Sequence, residues 1–393
     1  MSGQQQMTTA TRTISFLCFL LVLAAPGFGD KKQPEIEVPY EPTPPQVVEQ
    51  MLKLAKVTEA DMVYDLGCGD GRIVIAAAQK YKAHGFGVDL DPQRIEECRM
   101  NAENAAVADR LQFKVGDIMQ TDISKATVVT LYLLDEVNLM LRPKLLRELP
   151  PGTRIVSHAF YMADWKADKS ESPAKARNKV IYLWIIPAPV GGVWQWTAKT
   201  PAGEAPFSLD LTQEFQVVRG NLFSASTKKA PIREATLNGR ELAFTSTVFD
   251  GPRQVKVSFK GTVDGDTIKG TQQWQGGSQA GAREWVAKRT PVEIAGSWRL
   301  KVQGSPEPLD GVLRLARENG QLKATYIADK DKKEIALPGF SSWGTSIYFE
   351  IPSGNEEERG PIFSGSLEGG SGTGKVSKTG WGKGPTWAAQ REN

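Results

Sequence analysis

A glycine-rich segment has the residue types and spacing of a small-molecule binding loop. It runs from Asp65 to Gly71 and reads Asp-Leu-Gly-Cys-Gly-Asp-Gly. Glycines permit a tight turn and let a ligand approach the backbone closely, and the N–H groups of a following helix attract an anionic group. Asp89 follows about twenty residues later, where a carboxylate can accept hydrogen bonds from both ribose hydroxyls. Asp117 ends a further apolar run and is a third candidate for the same site.

The acidic residues of the loop discriminate between classes of nucleotide ligand. Dinucleotide oxidoreductases use a Gly-x-Gly-x-x-Gly loop that binds a pyrophosphate. Here Asp65 precedes the glycines and Asp70 lies among them. Carboxylates are unsuited to a pyrophosphate or a triphosphate, but they suit the amino and cationic parts of a methionine moiety. Taken one at a time, Asp89 and Asp117 also fit plain surface aspartates at strand ends.

Alternating strands and helices position these residues. The predicted strands are Met62–Leu66, Gly85–Leu90, Leu111–Val115, Thr127–Leu133, Thr153–His158 and Val180–Pro187. The predicted helices are Arg72–Tyr81, Pro92–Ala106 and Glu136–Leu149, the last interrupted near Pro143. This alternation predicts a parallel sheet with helices on both faces.

A proline-rich arm, residues 30–45, precedes the first helix. Thr43 is the predicted N-cap of that helix, Pro44 its first residue, and Gln46 the partner in a capping box.

The loop and the two later aspartates resemble those of class I S-adenosylmethionine-dependent methyltransferases. The resemblance extends from Val38 to about Pro187. It implies a Rossmann-like α/β domain of seven strands, with Val180–Pro187 as the last, antiparallel strand. It also implies S-adenosyl-L-methionine as the cofactor. The cofactor-binding residues that it implies in and after the loop are Asp65, Gly67, Gly69, Asp70, Asp89 at the ribose and Asp117 at the adenine amino group.

A narrower resemblance is to the non-SET protein-lysine methyltransferases, in particular to the group that includes the mitochondrial enzyme acting on the ATP-synthase c-subunit. The matching segments are residues 38–44, 70–74 and 130–137. The resemblance implies that the Pro-Tyr arm folds over the cofactor, with Tyr40 and Thr43 as contacts. Tyr40 also fits a packing aromatic on a proline-rich arm.

The acceptor side of the site is predicted from the ends of the fourth and fifth strands. The candidates are Tyr132, Asp135, Glu136 and His158. The segment after the fourth strand lacks the Asn/Asp-Pro-Pro-Tyr motif of methyltransferases that act on amides or adenine. An acidic mouth suits a cationic lysine, but acids are also favoured at any helix N-terminus, and His158 also fits a strand end. No dedicated base is visible.

The second half of the chain is predicted to be all-β, because short alternating segments are separated by glycine turns. It contains an internal repeat with a period of about 100 residues. Gly192-Val-Trp194 corresponds to Gly296-Ser-Trp298, and residues 284–289 correspond to 386–391. These correspondences predict two small antiparallel barrels or clams, each closing its first strand on its last. We therefore predict a methyltransferase domain at 46–189 and β repeats at 190–290 and 291–393.

Seven of the eight tryptophans in this half allow two interpretations: a ligand- or carbohydrate-facing surface, or barrel core. They are Trp194, Trp274, Trp285, Trp298, Trp343, Trp381 and Trp387. No ligand of the β repeats can be named from the sequence. A second hypothesis for the whole chain is an exported binding protein whose methyltransferase-like domain is non-catalytic.

Residues 1–29 are predicted to be a signal peptide or an N-terminal membrane anchor. Arg12 precedes an apolar run, Ile14–Ala25, and Gly27 and Gly29 suit cleavage before Asp30. This segment predicts an exported or membrane-anchored protein that could associate with a membrane through residues 14–25. Such a location conflicts with the cofactor, which is a cytosolic metabolite.

Charge and composition argue against two other classes of site. The formal net charge of +3 is too small to indicate nucleic-acid binding. The resemblance to protein-lysine methyltransferases implies a protein substrate. The chain has two histidines, and Cys68 and Cys98 show no metal-ligand spacing, so no metal site is expected.

Overall fold

The computed structural model describes most of the chain after residue 40. The described ranges are 41–172, 180–200, 203–277, 280–290, 293–318, 321–343, 345–353, 360–378 and 384–392. The predicted targeting segment, most of the proline-rich arm and Tyr40 lie outside these ranges. No helix in the described part of the chain is long and apolar enough to span a bilayer.

The first half forms a mixed α/β sheet of seven strands with flanking helices. Its strands are β1 Met62–Leu66, β2 His84–Asp89, β3 Leu111–Val115, β4 Val128–Leu131, β5 Arg154–His158, β6 Lys169–Glu171 and β7 Ile181–Ile185. Its helices are α1 Pro45–Leu54, α2 Arg72–Tyr81, α3 Pro92–Asn104 and α4 Asp135–Glu148, with a 3-10 turn at Ala108–Arg110. The strand order is β3-β2-β1-β4-β5-β7-β6. This is the Rossmann-like arrangement predicted from the sequence.

The strand directions bring the candidate residues to one edge of the sheet. β1 pairs in parallel with both β2 and β4, and β4 pairs in parallel with β5, whereas β7 is antiparallel to its neighbours. The chain order reverses between β1 and β4, and ligands of open α/β sheets bind at the carboxyl ends of the strands at such a point.

Two details of the predicted helices are wrong. The first helix begins at Pro45, with Pro44 at the N-cap and no side-chain cap. Consecutive prolines lack N–H groups that need capping, so the Thr43 hydroxyl is free to contact His158 instead. The predicted interruption at Pro143 is also absent. α4 continues through this proline because Val137, Leu141 and Leu145 bury the same face against the sheet.

One strand has no counterpart in the prediction. β6 contains three exposed residues, Lys169–Glu171, and carries no apolar pattern. β6 is held in the sheet by its pairing with β7. The strand β7 itself is one that the sequence does predict.

The second half is all-β and contains two antiparallel sheets of nine strands each. The strands of the first are β8 Gly192–Thr200, β9 Gly203–Glu214, β10 Val217–Ser224, β11 Ala230–Pro231, β12 Arg233–Asn238, β13 Glu241–Asp250, β14 Arg253–Asp264, β15 Thr267–Gln275 and β16 Gly281–Arg289. Those of the second are β17 Gly296–Gln303, β18 Gly311–Glu318, β19 Gln321–Ala328, β20 Glu334–Ala336, β21 Ser341–Trp343, β22 Ser346–Glu350, β23 Ile362–Glu368, β24 Ser371–Ser377 and β25 Thr386–Arg391.

In both sheets the first long strand pairs with the last: β8 with β16, and β17 with β25. The tryptophans whose side chains are described form the cores of these sheets. They are buried: Trp194, Trp196, Trp274, Trp285, Trp298 and Trp387. Trp381 lies outside the described ranges, as does the side chain of Trp343. The core interpretation therefore holds for these described tryptophans.

Candidate functional site

The glycine loop between β1 and α2 has the backbone conformation that its sequence predicts. Gly67, Gly69 and Gly71 have φ values of 81°, 53° and 79°, a region that residues with a Cβ rarely adopt. A Cβ on Gly71 would also lie 3.0 Å from the Cys98 sulfur. The loop is held from beneath, since Cys98 donates to the Gly69 carbonyl at 3.0 Å. Position 71 therefore requires glycine for two independent reasons: its positive φ and its close approach to the Cys98 sulfur.

Cys68 and Cys98 pack beneath the loop as small apolar side chains. Both are buried free thiols, and their sulfurs lie 3.8 Å apart. The hydrogen bond to Cys98 and burial raise the pKa of the Cys68 thiol, so this thiol stays protonated and unreactive.

Asp65 is a buried carboxylate at the end of β1. It is 2% exposed, and its Oδ1 accepts a 2.6 Å hydrogen bond from the Thr130 hydroxyl. Its Oδ2 has no partner among the described residues. Burial raises the pKa of Asp65 to about 7, with Asp89 and Asp70 adding repulsion. A buried acceptor in this state is stabilised by a cationic ligand group, which fits the ammonium of a methionine moiety.

Asp89 is the last residue of β2, and Asp117 lies two residues after the end of β3. One oxygen of Asp89 accepts from the Gly69 N–H at 2.9 Å and the other from the Asp91 N–H at 3.0 Å. Asp117 accepts from the Met119 N–H at 2.7 Å. Asp89 thus joins the glycine loop to the end of β2, beside the predicted ribose position.

Leu90 is a residue at this edge that sequence reasoning missed. It directly follows Asp89 and is 71% exposed, the most exposed of the large apolar residues described. A flat apolar ligand surface such as adenine would cover it. Its position after the predicted ribose-binding acid could have identified it.

The arm that precedes α1 is tied to the start of α2 by a hydrogen bond from Arg72, which also forms an ion pair with Asp70. Arg72 donates to both carboxylate oxygens of Asp70, at 2.8 and 2.6 Å, and to the Thr43 carbonyl at 3.1 Å. The Asp70 carboxylate is therefore engaged with Arg72, so this residue can contribute to a cofactor pocket chiefly through its backbone. The same contacts fix Thr43 at the rim of the site.

Aromatic side chains gather at the ends of β4 and β5. The Tyr132 ring lies 4.1 Å from the His158 ring and 5.9 Å from the Phe160 ring, centroid to centroid. His158 is buried, and its Nδ1 lies 3.3 Å from the Thr43 hydroxyl. The structure thus brings Tyr132 and His158 together, as expected of a shared pocket. Phe160, the third ring, was not predicted.

The two acidic candidates have different positions at the start of α4. Asp135 accepts from the Tyr161 N–H at 3.0 Å, so it holds the segment after β5. Glu136 is exposed in the first turn of the helix. Its position fits the helix-terminus interpretation and an acidic rim equally.

No group of three or more His, Cys, Asp or Glu side chains in the described part of the chain could hold a metal ion.

Part of the chain matches known methyltransferases. Residues 65–169 match the family model described as the ANTKMT methyltransferase domain. The protein-lysine N-methyltransferase of Saccharolobus islandicus is 46% identical over 151 residues, which cover 38% of this chain and 94% of that protein.

Two further relatives are more distant. The adenine nucleotide translocase lysine N-methyltransferase of Mus musculus is 33% identical, with 37% of this chain and 62% of that protein covered. The Homo sapiens lysine N-methyltransferase named for the ATP-synthase c-subunit is 31% identical, with 33% and 55% covered.

Among solved structures, an RNA methyltransferase from Salinibacter ruber in complex with S-adenosyl-L-homocysteine is 49% identical. The match covers 38% of this chain and 96% of that chain, with a TM-score of 0.37. Because nearly the whole Saccharolobus islandicus protein is matched at 46% identity, the relationship is one of family and not of fold alone. This chain belongs to the family of S-adenosylmethionine-dependent methyltransferases that contains these lysine-modifying enzymes.

Proposed function

We propose that the chain transfers a methyl group from S-adenosyl-L-methionine to the ε-amino group of a protein lysine. The observation that carries the proposal is the 46% identity to the protein-lysine N-methyltransferase of Saccharolobus islandicus over almost its full length. The aromatic cluster of Tyr132, His158 and Phe160 supports it, because ring faces stabilise the positive charge that develops on the amine as it accepts the methyl group.

The residues at the sheet edge fit the cofactor. Asp65 would accept from the methionine ammonium, the loop at Gly67 and Gly69 would lie against the methionine portion, and Asp89 would hold the ribose. Asp117 and Leu90 would contact the adenine. When bound, the cofactor supplies an electrophilic methyl group on a sulfonium.

The acceptor amine requires alignment and desolvation. A lysine must be neutral to attack, and a water-poor pocket lowers the pKa of its amine. Tyr132, His158 and Phe160 can exclude water from the side chain and align its nitrogen with the methyl group. Asp135 holds the segment that carries Phe160. No general base is needed in this scheme, since a neutral amine is already the nucleophile.

Radiolabelling tests this proposal directly. We expect the full chain, incubated with methyl-tritiated S-adenosyl-L-methionine and a whole-cell protein extract, to label protein. Acid hydrolysis should then release the label as Nε-methylated lysine. Asp89→Ala should reduce labelling at least tenfold through loss of the ribose contact.

The same experiment separates lysine from other acceptors. Label released as another amino acid, or removed by ribonuclease or deoxyribonuclease, would exclude lysine. An absence of label in protein and nucleic acid would contradict the proposal as a whole.

We further propose that the all-β half consists of two copies of one clam-like module, at 190–290 and 291–393, after a methyltransferase domain at 46–189. Shared strand order and the first-to-last strand pairing support the duplication. Near closure is supported at the ends of the first sheet, where the Ser246 hydroxyl donates to the Pro231 carbonyl at 3.2 Å.

The cellular location is proposed from the sequence alone. The apolar run Ile14–Ala25 supports export or membrane anchoring through residues 1–29. N-terminal sequencing of the protein from fractionated cells tests this. A mature chain that begins near Asp30 supports export, an intact one in the membrane fraction supports anchoring, and an intact one in the cytosol excludes both.

A further inference from the structure

The segment between β5 and β6, residues 159–168, forms one wall of the proposed acceptor pocket, and we call it the acceptor loop. It contains Phe160, whose ring contacts Tyr132. Ala159 and Ala163 have φ values of 69° and 48°, a left-handed conformation that is unfavourable for alanine. A loop with two such residues keeps its shape only if neighbouring contacts impose it.

Helix α4 supplies the inner contacts of the acceptor loop. Arg142 donates to the Met162 carbonyl at 3.0 Å and to the Asp164 carboxylate at 2.5 Å. Asp135 accepts from the Tyr161 N–H. These bonds hold the middle of the loop against α4.

The outer contacts come from the all-β half. The hairpin between β9 and β10 carries Phe215 and Gln216. Gln216 accepts from the Trp165 indole N–H at 3.0 Å and donates to the Lys166 carbonyl at 2.7 Å. The Phe215 ring stacks on the Trp165 ring at 5.5 Å with an interplanar angle of 15°. The hairpin therefore grips the acceptor loop by side chain and backbone together.

Phe215 lies in the all-β half but packs against the α/β half. It packs against the apolar cluster of the methyltransferase sheet that contains Met162, Trp165 and Trp184. The Arg142 guanidinium, which holds the inner side of the loop, lies 5.4 Å from the centroid of the Phe215 ring. One arginine thus contacts the acceptor loop and the hairpin that covers it.

The backbone at Phe215 indicates that its side chain matters. Its φ is 53°, where glycine is favoured and a bulky residue is strained. A phenylalanine in this conformation is accounted for by the contacts of its ring.

We propose that the β9–β10 hairpin positions the acceptor loop for methyl transfer, with Phe215 and Gln216 as positioning residues. The inference rests on the proposed lysine-methyltransferase function. It gives the all-β half a role in catalysis: the first sheet completes the acceptor side of a site whose cofactor side lies wholly within the α/β sheet.

Phe215→Gly and Gln216→Ala in the full chain test the inference. Glycine suits the backbone of Phe215, so this variant keeps the hairpin while removing the ring. We expect the calorimetric Kd for S-adenosyl-L-methionine to stay within twofold of the wild-type value. With the protein extract as acceptor, the rate of lysine labelling at limiting extract should fall at least tenfold. Amide exchange by mass spectrometry should speed up in residues 159–168 and remain unchanged in residues 62–72.

Two further variants separate positioning from folding. Phe215→Tyr keeps the stacked ring and should restore labelling to within threefold of wild type. Phe249→Ala removes an exposed ring from the same β sheet and should change neither labelling nor loop exchange.

The inference is overturned if Phe215→Gly and Gln216→Ala label lysine at the wild-type rate. It is also overturned if exchange rises throughout the α/β sheet, which would indicate a purely structural role. Failure of the wild-type chain to label lysine would instead overturn the proposed function, and loop exchange would still report whether the hairpin holds the loop.

Discussion

Asp65→Asn should abolish productive cofactor binding, with an increase of at least about 100-fold in the Kd for S-adenosyl-L-methionine. Asparagine keeps the shape of the side chain and the acceptor for the Thr130 hydroxyl, so the loop should keep its conformation. What is lost is the negative charge opposite the proposed ammonium position. Calorimetric titration of the full chain at pH 8 measures the change, and Asp122→Asn, at an exposed loop aspartate, is the matched control.

The affinity for S-adenosyl-L-methionine should also depend on pH through the ionisation of Asp65. The pKa of Asp65 is about 7, so this group is largely protonated at pH 6 and largely ionised at pH 8. A cationic ligand binds the ionised form, and the wild-type affinity should therefore fall about tenfold per pH unit below pH 7. The Asp65→Asn variant should show no such slope between pH 5.5 and 8. A wild-type affinity independent of pH would show that Asp65 does not face the cationic group.

Stability should change in the opposite direction to binding. Because Asp65 has a pKa of about 7 when folded and an ordinary one of 3.8, the unfolded chain ionises first as pH rises. The wild type should lose stability relative to Asp65→Asn between pH 4 and pH 7, by up to about 4 kcal/mol, and the difference should level off above pH 7. Amide exchange in β1 and β4 reports the stability of the α/β domain separately from that of the two antiparallel sheets in the second half. A difference that stays constant with pH would contradict the raised pKa.

The cofactor side of the site could be predicted from the sequence because its residues are local. A glycine loop after a strand has one conformation that suits it, and parallel strands bring the residues after each strand to one edge. Asp65, Asp89 and Asp117 therefore lie at the carboxyl ends of the neighbouring strands β1, β2 and β3, as the pattern predicts. Asp70 shows the limit of such reasoning, because its ion pair with Arg72 depends on the side-chain conformation of a helix residue.

The acceptor side was predicted less completely because its contacts join distant parts of the chain. Phe160 lies in a segment without a periodic apolar pattern. Its place in the site comes from its contact with the ring of Tyr132, which lies in a different connection between strands. The bonds of Gln216 to Trp165 and Lys166 link two folds whose sequence patterns are independent. No local pattern specifies such a contact.

The fold was predictable wherever burial imposes a period. α2 and β3 begin and end where their patterns predict, at Arg72–Tyr81 and Leu111–Val115. Predictions failed where tertiary packing overrides a local rule, as in the continuation of α4 through Pro143. In the β half, glycine turns and the repeated Gly-x-Trp and Trp-x-Ala-x-Arg segments indicated paired sheets, but the number of strands required the observed pairing.

Arg289 and Arg391 occupy corresponding positions in the two β repeats, each at the end of the last strand of its sheet. Their side chains differ in burial and in contacts. Arg289 has a side chain that is 6% exposed, lies 4.3 Å from the Trp194 ring centroid and donates to the carbonyls of Pro189 and Gly191. Arg391 lies 5.6 Å from the Trp298 ring and donates to the carbonyls of Ala295 and Glu293. Arg289 therefore binds the connection between the α/β sheet and the first β sheet.

Arg289→Met should destabilise the first β sheet by about 3–5 kcal/mol, because two carbonyl groups lose a buried charged donor and the ring of Trp194 loses its cation. Arg391→Met, the matched control in the second sheet, should cost about 1–2 kcal/mol, since its position is more open to water. The ion pair of Arg289 with Asp266 adds little to this difference, because the Asp266 carboxylate is 81% exposed. Urea titrations followed by amide exchange in β8 and β16, and in β17 and β25, measure each sheet separately. Equal losses in the two sheets would show that the buried donor contacts of Arg289 contribute nothing beyond the shared strand closure.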